Sequence, residues 1–148
     1  MIKSIPQNQD YGVDENGDTY SIRYSKKLKG SVNTFGYLQL FTCNNSKQKA
    51  YLVHRLVWNA FVGEVPAGFE LDHIDRNRAN NALSNLRLVT RQQNKFNTAA
   101  KGCYYNKPTK KWQARIMLNG KNKHLGLFNT ETEAHTAYLA AKEVYHVI

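Results

Sequence analysis

An aspartate and a histidine stand side by side at Asp72-His73, with Asn85 twelve residues after the histidine and Asn94 nine further on. The chain around them has 21 Lys and Arg against 11 Asp and Glu in 148 residues. A carboxylate in so basic a chain calls for a reason. A neutral imidazole accepts a proton near pH 7, its ordinary pKa being about 6.5. A carboxylate and an amide oxygen are hard donors of the kind Mg2+ takes, often with only one or two protein ligands. Together these groups suit phosphodiester hydrolysis, which needs a base for the attacking water, in-line geometry and neutralisation of charge on the phosphate and leaving oxygen. Neighbouring residues on a strand point to opposite faces, so Asp72 and His73 at a strand end can serve a cation and a water separately. Asn94 can bring a second oxygen to the cation. Asn85 can hydrogen-bond either the imidazole or the loop. Asp75 has the chemistry for a second cation, but capping a loop is the commoner use of such a residue, and Asn77, Asn80 and Asn81 read as turn formers.

The formal charge of +10 points to a polyanionic partner, because cations that neutralise phosphates release condensed counterions. Nucleic acid is favoured over an anionic membrane surface, since no basic helix with a strong apolar face is evident. No apolar run approaches the ~18 residues of a membrane span, and the start MIKSIPQNQDYG does not resemble a secretory signal. The two cysteines, Cys43 and Cys103, are far apart and outside any CxxC pattern, which speaks against a disulfide framework or a cysteine-based zinc site. Two thiols in a reducing cytoplasm are the expectation.

The elements that must position these groups are legible in the periodicity. Residues 1–50 read as β-hairpins: Tyr11 and Val13 alternate with polar residues, Asn16-Gly17 marks a tight turn, and Tyr20, Ile22 and Tyr24 alternate again. A second pair spans residues 37–41 and 50–52, around the turn-prone Asn44-Asn45-Ser46-Lys47. Val53, Leu56, Val57, Ala60 and Phe61 then recur at helical spacing, and Gly63 with Pro66 ends that helix. His54 on it reads as a structural histidine; phosphate binding, or a zinc pair with His73, are the other options, though no third soft ligand has suitable spacing. Residues 69–72 suit a strand, residues 75–85 are polar and irregular, and residues 86–89 alternate as a second strand. Thr90 with Gln93 forms a capping box that opens a helix, placing Asn94 in its first turn. The result is a small ββα unit.

Residues 97–102 have little to bury and read as a linker. Beyond them, Trp112, Ala114, Ile116 and Leu118 share one strand face, with Gln113, Arg115 and Met117 on the other. Asn119-Gly120 is a two-residue hairpin turn. Thr130 with Glu133 caps a helix whose Ala134, Ala137, Tyr138 and Ala141 can lie flat on a sheet. The fold class is therefore α+β: N-terminal β-hairpins plus a helix (1–50 as a β-rich region able to contact the partner), a ββα core (51–97), a linker (98–102), and a three-stranded antiparallel sheet with one packed helix (103–148).

Asp72-His73, Asn85 and Asn94, with the flanking "HRLVWNAFVGEVPAGFELDHID" and "NNALSNLRLVTRQQN", resemble the HNH (ββα-metal) nucleases, and in particular the phage and intron-borne homing endonucleases. The resemblance implies Asp72 and Asn94 as metal ligands, His73 as general base and Asn85 as an orienting asparagine, with one Mg2+ or Mn2+ ion per site. Asn94 stands where the motif's name has a final His, a substitution common in the homing branch. It further implies a double-stranded DNA partner, a monomer or weak dimer, no membrane, and a phage protein acting in the cytoplasm of a bacterial host. Residues 101–146 resemble the apetala-two (ethylene-response-factor type) DNA-binding domain, whose sheet enters the major groove. On that likeness Arg115 reads guanine, while Lys110, Lys111, Lys121 and Lys123 sit on phosphates. Trp112 is expected to pack on the sheet rather than stack on bases. A DNA-binding regulator that keeps the fold without cutting is the competing reading, and a binder or nuclease of structured RNA a third.

Overall fold

The computed structural model describes residues 1–44 and 46–146. The chain forms two compact units, Met1–Asn94 and Lys95–Ile148. The first begins with four short antiparallel strands, β1 (Lys3–Ile5), β2 (Asn8–Val13), β3 (Thr19–Ser21) and β4 (Lys26–Leu28), in the order β1-β2-β3-β4. Asn16-Gly17 does turn the chain between β2 and β3, with Gly17 at φ +84° and Asp14 Oδ1 accepting from the backbone N–H groups of Asn16 and Asp18 at 3.0 and 2.9 Å. The alternation through Ile22 and Tyr24 is broken where Ser25 N–H closes a turn on the Ile22 carbonyl at 3.2 Å.

A second sheet, β5 (Ser31–Val32), β6 (Leu38–Asn44) and β7 (Lys47–Leu52), follows. Its β6–β7 turn contains Asn45, which lies outside the described residues. Helix α1 (Val53–Phe61) buries Val53, His54, Leu56, Val57 and Trp58. Gly63, at φ +131°, ends it, and its N–H reaches the Trp58 carbonyl at 3.1 Å. The strand pair β8 (Phe69–His73) and β9 (Leu86–Thr90) comes next, then the short helix α2 (Arg91–Phe96). Thr90 and Gln93 cap α2 reciprocally: Thr90 N–H donates to Gln93 Oε1 at 2.9 Å and Gln93 N–H to Thr90 Oγ1 at 3.2 Å. Ile5, Val13, Leu40, Val53, Leu56, Val57, Trp58 and Leu86 form one core. The N-terminal hairpins, delimited above as a region of their own, thus share a core with α1 and β9. Sheets of four and three strands, each strand only two to seven residues long, bury little apolar area by themselves, and packing against a helix supplies the rest.

In the second unit β10 (Cys103–Asn106), β11 (Lys111–Leu118) and β12 (Lys121–Phe128) form an antiparallel sheet in that order, covered by α3 (Glu131–Tyr145). Thr130 and Glu133 make the expected capping box, and Ala134, Tyr138 and Ala141 are the buried residues of α3. Residues 98–102, read above as a linker, are tied into this unit. The Thr98 carbonyl accepts from Lys142 Nζ at 2.9 Å, and the Gly102 carbonyl from Arg115 N–H at 3.0 Å. Gly102 lies so close to the Tyr138 ring, at φ +64°, that a Cβ there would fall 2.0 Å from it. Low apolar content hid this, because the contacts are made by backbone. Among the described residues, no helix is long and apolar enough to cross a membrane.

Candidate active site

The strands β8 and β9 pair so that Asp72 faces Arg87 and His73 faces Leu86. Glu70 and Asp72 therefore project from one face of β8 and His73 from the other. Asp72, only 8% exposed, accepts from Arg87 Nε at 3.0 Å and Nη2 at 2.9 Å, both on Oδ2. This charge-assisted contact offsets the cost of holding a carboxylate largely out of water. Asn94, on α2, donates from Nδ2 to Glu70 Oε2 at 2.7 Å. That bond brings Asn94 to the face of β8 that carries Asp72. With its nitrogen committed to Glu70, the atom Asn94 can offer a cation is its amide oxygen. A carboxylate and an amide oxygen form a hard donor set that fits Mg2+ or Mn2+, with water and phosphate completing the shell. The zinc alternative lacks support in the side chains: among the described residues, no group of three or more His, Cys, Asp or Glu is placed to hold a metal ion.

His73 is 4% exposed and sits among rings and amides. His54 meets it edge-on with 5.0 Å between ring centroids, and Tyr37 lies 6.0 Å from His73 and 5.2 Å from His54. Burial, then the charge of His73 and of Arg55, pushes the pKa of His54 down to about 4. His54 is thus a neutral packing partner near pH 7. Its Nδ1 is buried without a hydrogen-bond partner among the described residues. Arg78 stacks its guanidinium over Tyr37, 4.9 Å from the ring centroid, and donates from Nη1 to the Phe35 carbonyl at 2.8 Å. This ties the loop after β8 to the β5–β6 turn.

The asparagines divide the loop between them. Asn85 Oδ1 accepts from Asp75 N–H at 3.1 Å, and its Nδ2 donates to Asp75 Oδ1 and the Asn80 carbonyl, each at 2.9 Å. Of the two roles open to Asn85, the structure puts its side chain on the loop rather than on the imidazole. Asp75 is the hub of that loop. It also accepts from Asn77 N–H and Asn80 Nδ2, both at 2.7 Å, and these bonds, that from Asn80 first, hold its carboxyl below the usual range. Asp75 caps the loop. The asparagine at the imidazole is Asn81, read above as a turn former: its Oδ1 lies 3.3 Å from His73 Nε2.

Sequence reasoning therefore missed Arg87, Glu70 and Asn81. A signal existed for Arg87, because antiparallel strands joined through residues 74–85 set it near Asp72. For Glu70 the period of two along β8 was the clue. Asn81 had none.

The candidate DNA-contacting residues of the second unit do not share a face. Arg115 lies on the exposed side of the sheet, its guanidinium 4.9 Å over the Tyr104 ring. Beside it Gln113 Oε1 accepts from Tyr104 Oη at 2.9 Å and Asn106 Nδ2 at 3.0 Å. Lys111, two and four residues before them, projects the same way, and Lys110 sits in the turn before it at φ +53°. Lys121 pairs with Leu118 and Lys123 with Ile116, so both belong to the side that α3 covers. Lys123 Nζ donates to Tyr145 Oη at 2.6 Å. The two-residue turn at Asn119-Gly120 already implied this pairing. Trp112 is half-buried and meets Tyr105 at 5.7 Å in an edge-on contact.

A strand ending in Asp-His, a second strand beside it and an Asn on the helix that follows define the ββα class of nucleases. Residues 51–96 match the family model described as HNH endonuclease. The chain is 37% identical over 92 residues to the DNA endonuclease I-HmuI of Bacillus phage SP01, covering 62% of this chain and 53% of that protein. It is 29% identical over 99 residues to the H-N-H endonuclease F-TflII of Escherichia phage T5, covering 66% and 51%. A solved structure of the HNH homing endonuclease I-HmuI, a protein that binds and cleaves DNA, superposes with a TM-score of 0.61 at 30% identity, covering 84% of this chain and 76% of that one. The chain belongs to the HNH endonuclease family, and its match spans about half the length of these two phage relatives.

Proposed function

We propose that the protein is a site-specific DNA endonuclease of the phage homing type, dependent on a divalent metal. The observation that carries this reading is the placement of Asp72, His73 and Asn94 on one ββα unit, with the two oxygen donors toward one face of β8 and the imidazole on the other. Asp72 and Asn94 would hold the cation. When bound, it would neutralise charge on the scissile phosphate and the leaving 3′ oxygen. His73 takes the proton of the attacking water, leaving 5′-phosphate and 3′-hydroxyl ends. Arg87 holds Asp72 in place before the cation arrives. Asn85 acts one step removed, keeping the Asp75 loop in shape beside the imidazole. With one ββα unit per chain, a monomer nicks one strand, and Mg2+ is the ion expected.

The second unit is proposed to supply site recognition, in the manner of an apetala-two domain. Arg115, held over Tyr104, is placed to meet a guanine edge, with Lys110 and Lys111 on neighbouring phosphates. Lys121 and Lys123, on the far side of the sheet, contribute to the basic field more than to that contact. The test is conversion of supercoiled plasmid carrying the target site to the open circle in Mg2+, with EDTA and His73→Ala as controls. Mg2+-dependent nicking lost in His73→Ala is expected. Equal nicking by both proteins would remove His73 from the mechanism, and tight binding without any cleavage would favour the regulator.

A further inference from the structure

We propose that Asn81 is a positioning residue for His73, holding its imidazole in the tautomer protonated on Nε2 and so making Nδ1 the atom that accepts the proton from water. The proposal rests on the nuclease reading above. It begins from an amide whose orientation is fixed. Asn81 is 2% exposed, and its Nδ2 donates to the Ala79 carbonyl at 3.0 Å. The group that faces His73 Nε2 at 3.3 Å is therefore Oδ1, an oxygen that can only accept. Two acceptors make no hydrogen bond, so Nε2 carries the hydrogen. A neutral ring protonated on Nε2 has its lone pair on Nδ1, and only that atom is basic.

Asn77 shows what a turn former looks like in the same loop. It is exposed, and its Oδ1 accepts from Ala79 N–H at 3.1 Å, inside the turn. Asn81 instead sends its oxygen across eight residues of sequence to a buried ring. The backbone of Asn81 is held from the other side by the tip of the β2–β3 hairpin. Leu83 N–H donates to the Glu15 carbonyl at 2.8 Å. Gly17 packs so tightly there that a Cβ would fall 2.6 Å from the Asn81 carbonyl carbon. His54 and Tyr37 meanwhile wall in the plane of the ring. Hairpin tip, amide and imidazole form one chain of contacts, which gives the N-terminal hairpins a part in setting the base.

The experiment compares Asn81→Leu, similar in size but without an acceptor, with Asn81→Asp, which keeps an acceptor oxygen at the same reach. Long-range 15N–1H spectra of the imidazoles in the full-length, metal-free protein are expected to show His73 as a single tautomer, with the hydrogen on Nε2 and none on Nδ1. Asn81→Leu should show a mixture of tautomers. In single-turnover nicking with Mg2+, Asn81→Leu should lose roughly 10–100-fold in rate with DNA affinity unchanged, Asn81→Asp should lose less, and Asn81→Leu in a His73→Ala background should cost nothing further. A wild-type His73 protonated on Nδ1, or an Asn81→Leu protein that nicks at the wild-type rate, would overturn the proposal. So would losses in both variants that track only their melting temperatures. If the spectra are as expected while wild type cuts no DNA, the nuclease reading fails and the assignment of Asn81 to the imidazole stands.

Discussion

The loop after β8 and the exposed face of β11 both concentrate polar side chains, and they treat them in opposite ways. In and beside the loop, donors and acceptors are matched: Asp72 with Arg87 and His73 with Asn81 largely out of water, and Asp75, itself exposed, with Asn77, Asn80 and Asn85. On the sheet, Arg115 lies over an aromatic ring with its charge in solvent. A buried matched network fixes atoms to fractions of an ångström, as chemistry requires, and makes each member costly to lose. Exposed cations on an aromatic platform hold a polyanion while tolerating adjustment. Substitutions in the first region should therefore change rates and stability, and those in the second should change affinity.

The largest departure from that division would come from Asp72. Asp72→Ala removes a proposed cation ligand and leaves Arg87 unmatched. Cleavage should fall by roughly two to three orders of magnitude while DNA binding persists, as single-turnover rates and a binding titration will show. His54 tests the same region through acid stability. Its pKa is lowered to about 4 in the fold against about 6.5 unfolded, so the unfolded chain binds the proton first. Stability should be full above pH ~6.5 and fall as the pH drops toward 4, by about 3 kcal/mol over that window. Denaturant melts of wild type and His54→Phe should diverge there, with the variant flatter.

Gly17→Ala sharpens the link from hairpin to loop. A methyl group at φ +84°, 2.6 Å from the Asn81 backbone, should cost about 1–3 kcal/mol and slow cleavage without weakening binding. On the sheet face the expected effects are smaller and of the other kind. Arg115→Ala should reduce discrimination between target and random duplex by about 1–3 kcal/mol and leave the rate at saturating protein unchanged. Lys110→Ala should lower the slope of log affinity against log salt by about 0.9.

The sequence carried the local devices well. Thr90/Gln93 and Thr130/Glu133 cap the helices they were expected to open. Asn119-Gly120 sets the β11–β12 register, and the stripe from Val53 to Phe61 forms the helix that roofs the N-terminal core. Each depends on neighbours within a few residues. The division of labour among the loop asparagines was not legible, because Asn77, Asn80, Asn81 and Asn85 send the same turn-forming signal. What singles out Asn81 is the packing of Glu15 and Gly17, more than sixty residues earlier in the chain, beneath it. The attachment of residues 98–102 to the second unit escaped for a similar reason, since backbone carbonyls leave no mark in a hydropathy pattern.

In this division of labour the matched residues around Asp72 and His73 perform the chemistry while the basic surface holds the DNA. The division is tested most directly by measuring, on one target duplex with Mg2+, the single-turnover nicking rate and the dissociation constant of wild type and His73→Ala. His73→Ala should nick more slowly by roughly 10²–10⁴ with an unchanged dissociation constant. A His73→Ala protein that nicks at the wild-type rate, or that loses activity only because it no longer binds, would contradict it.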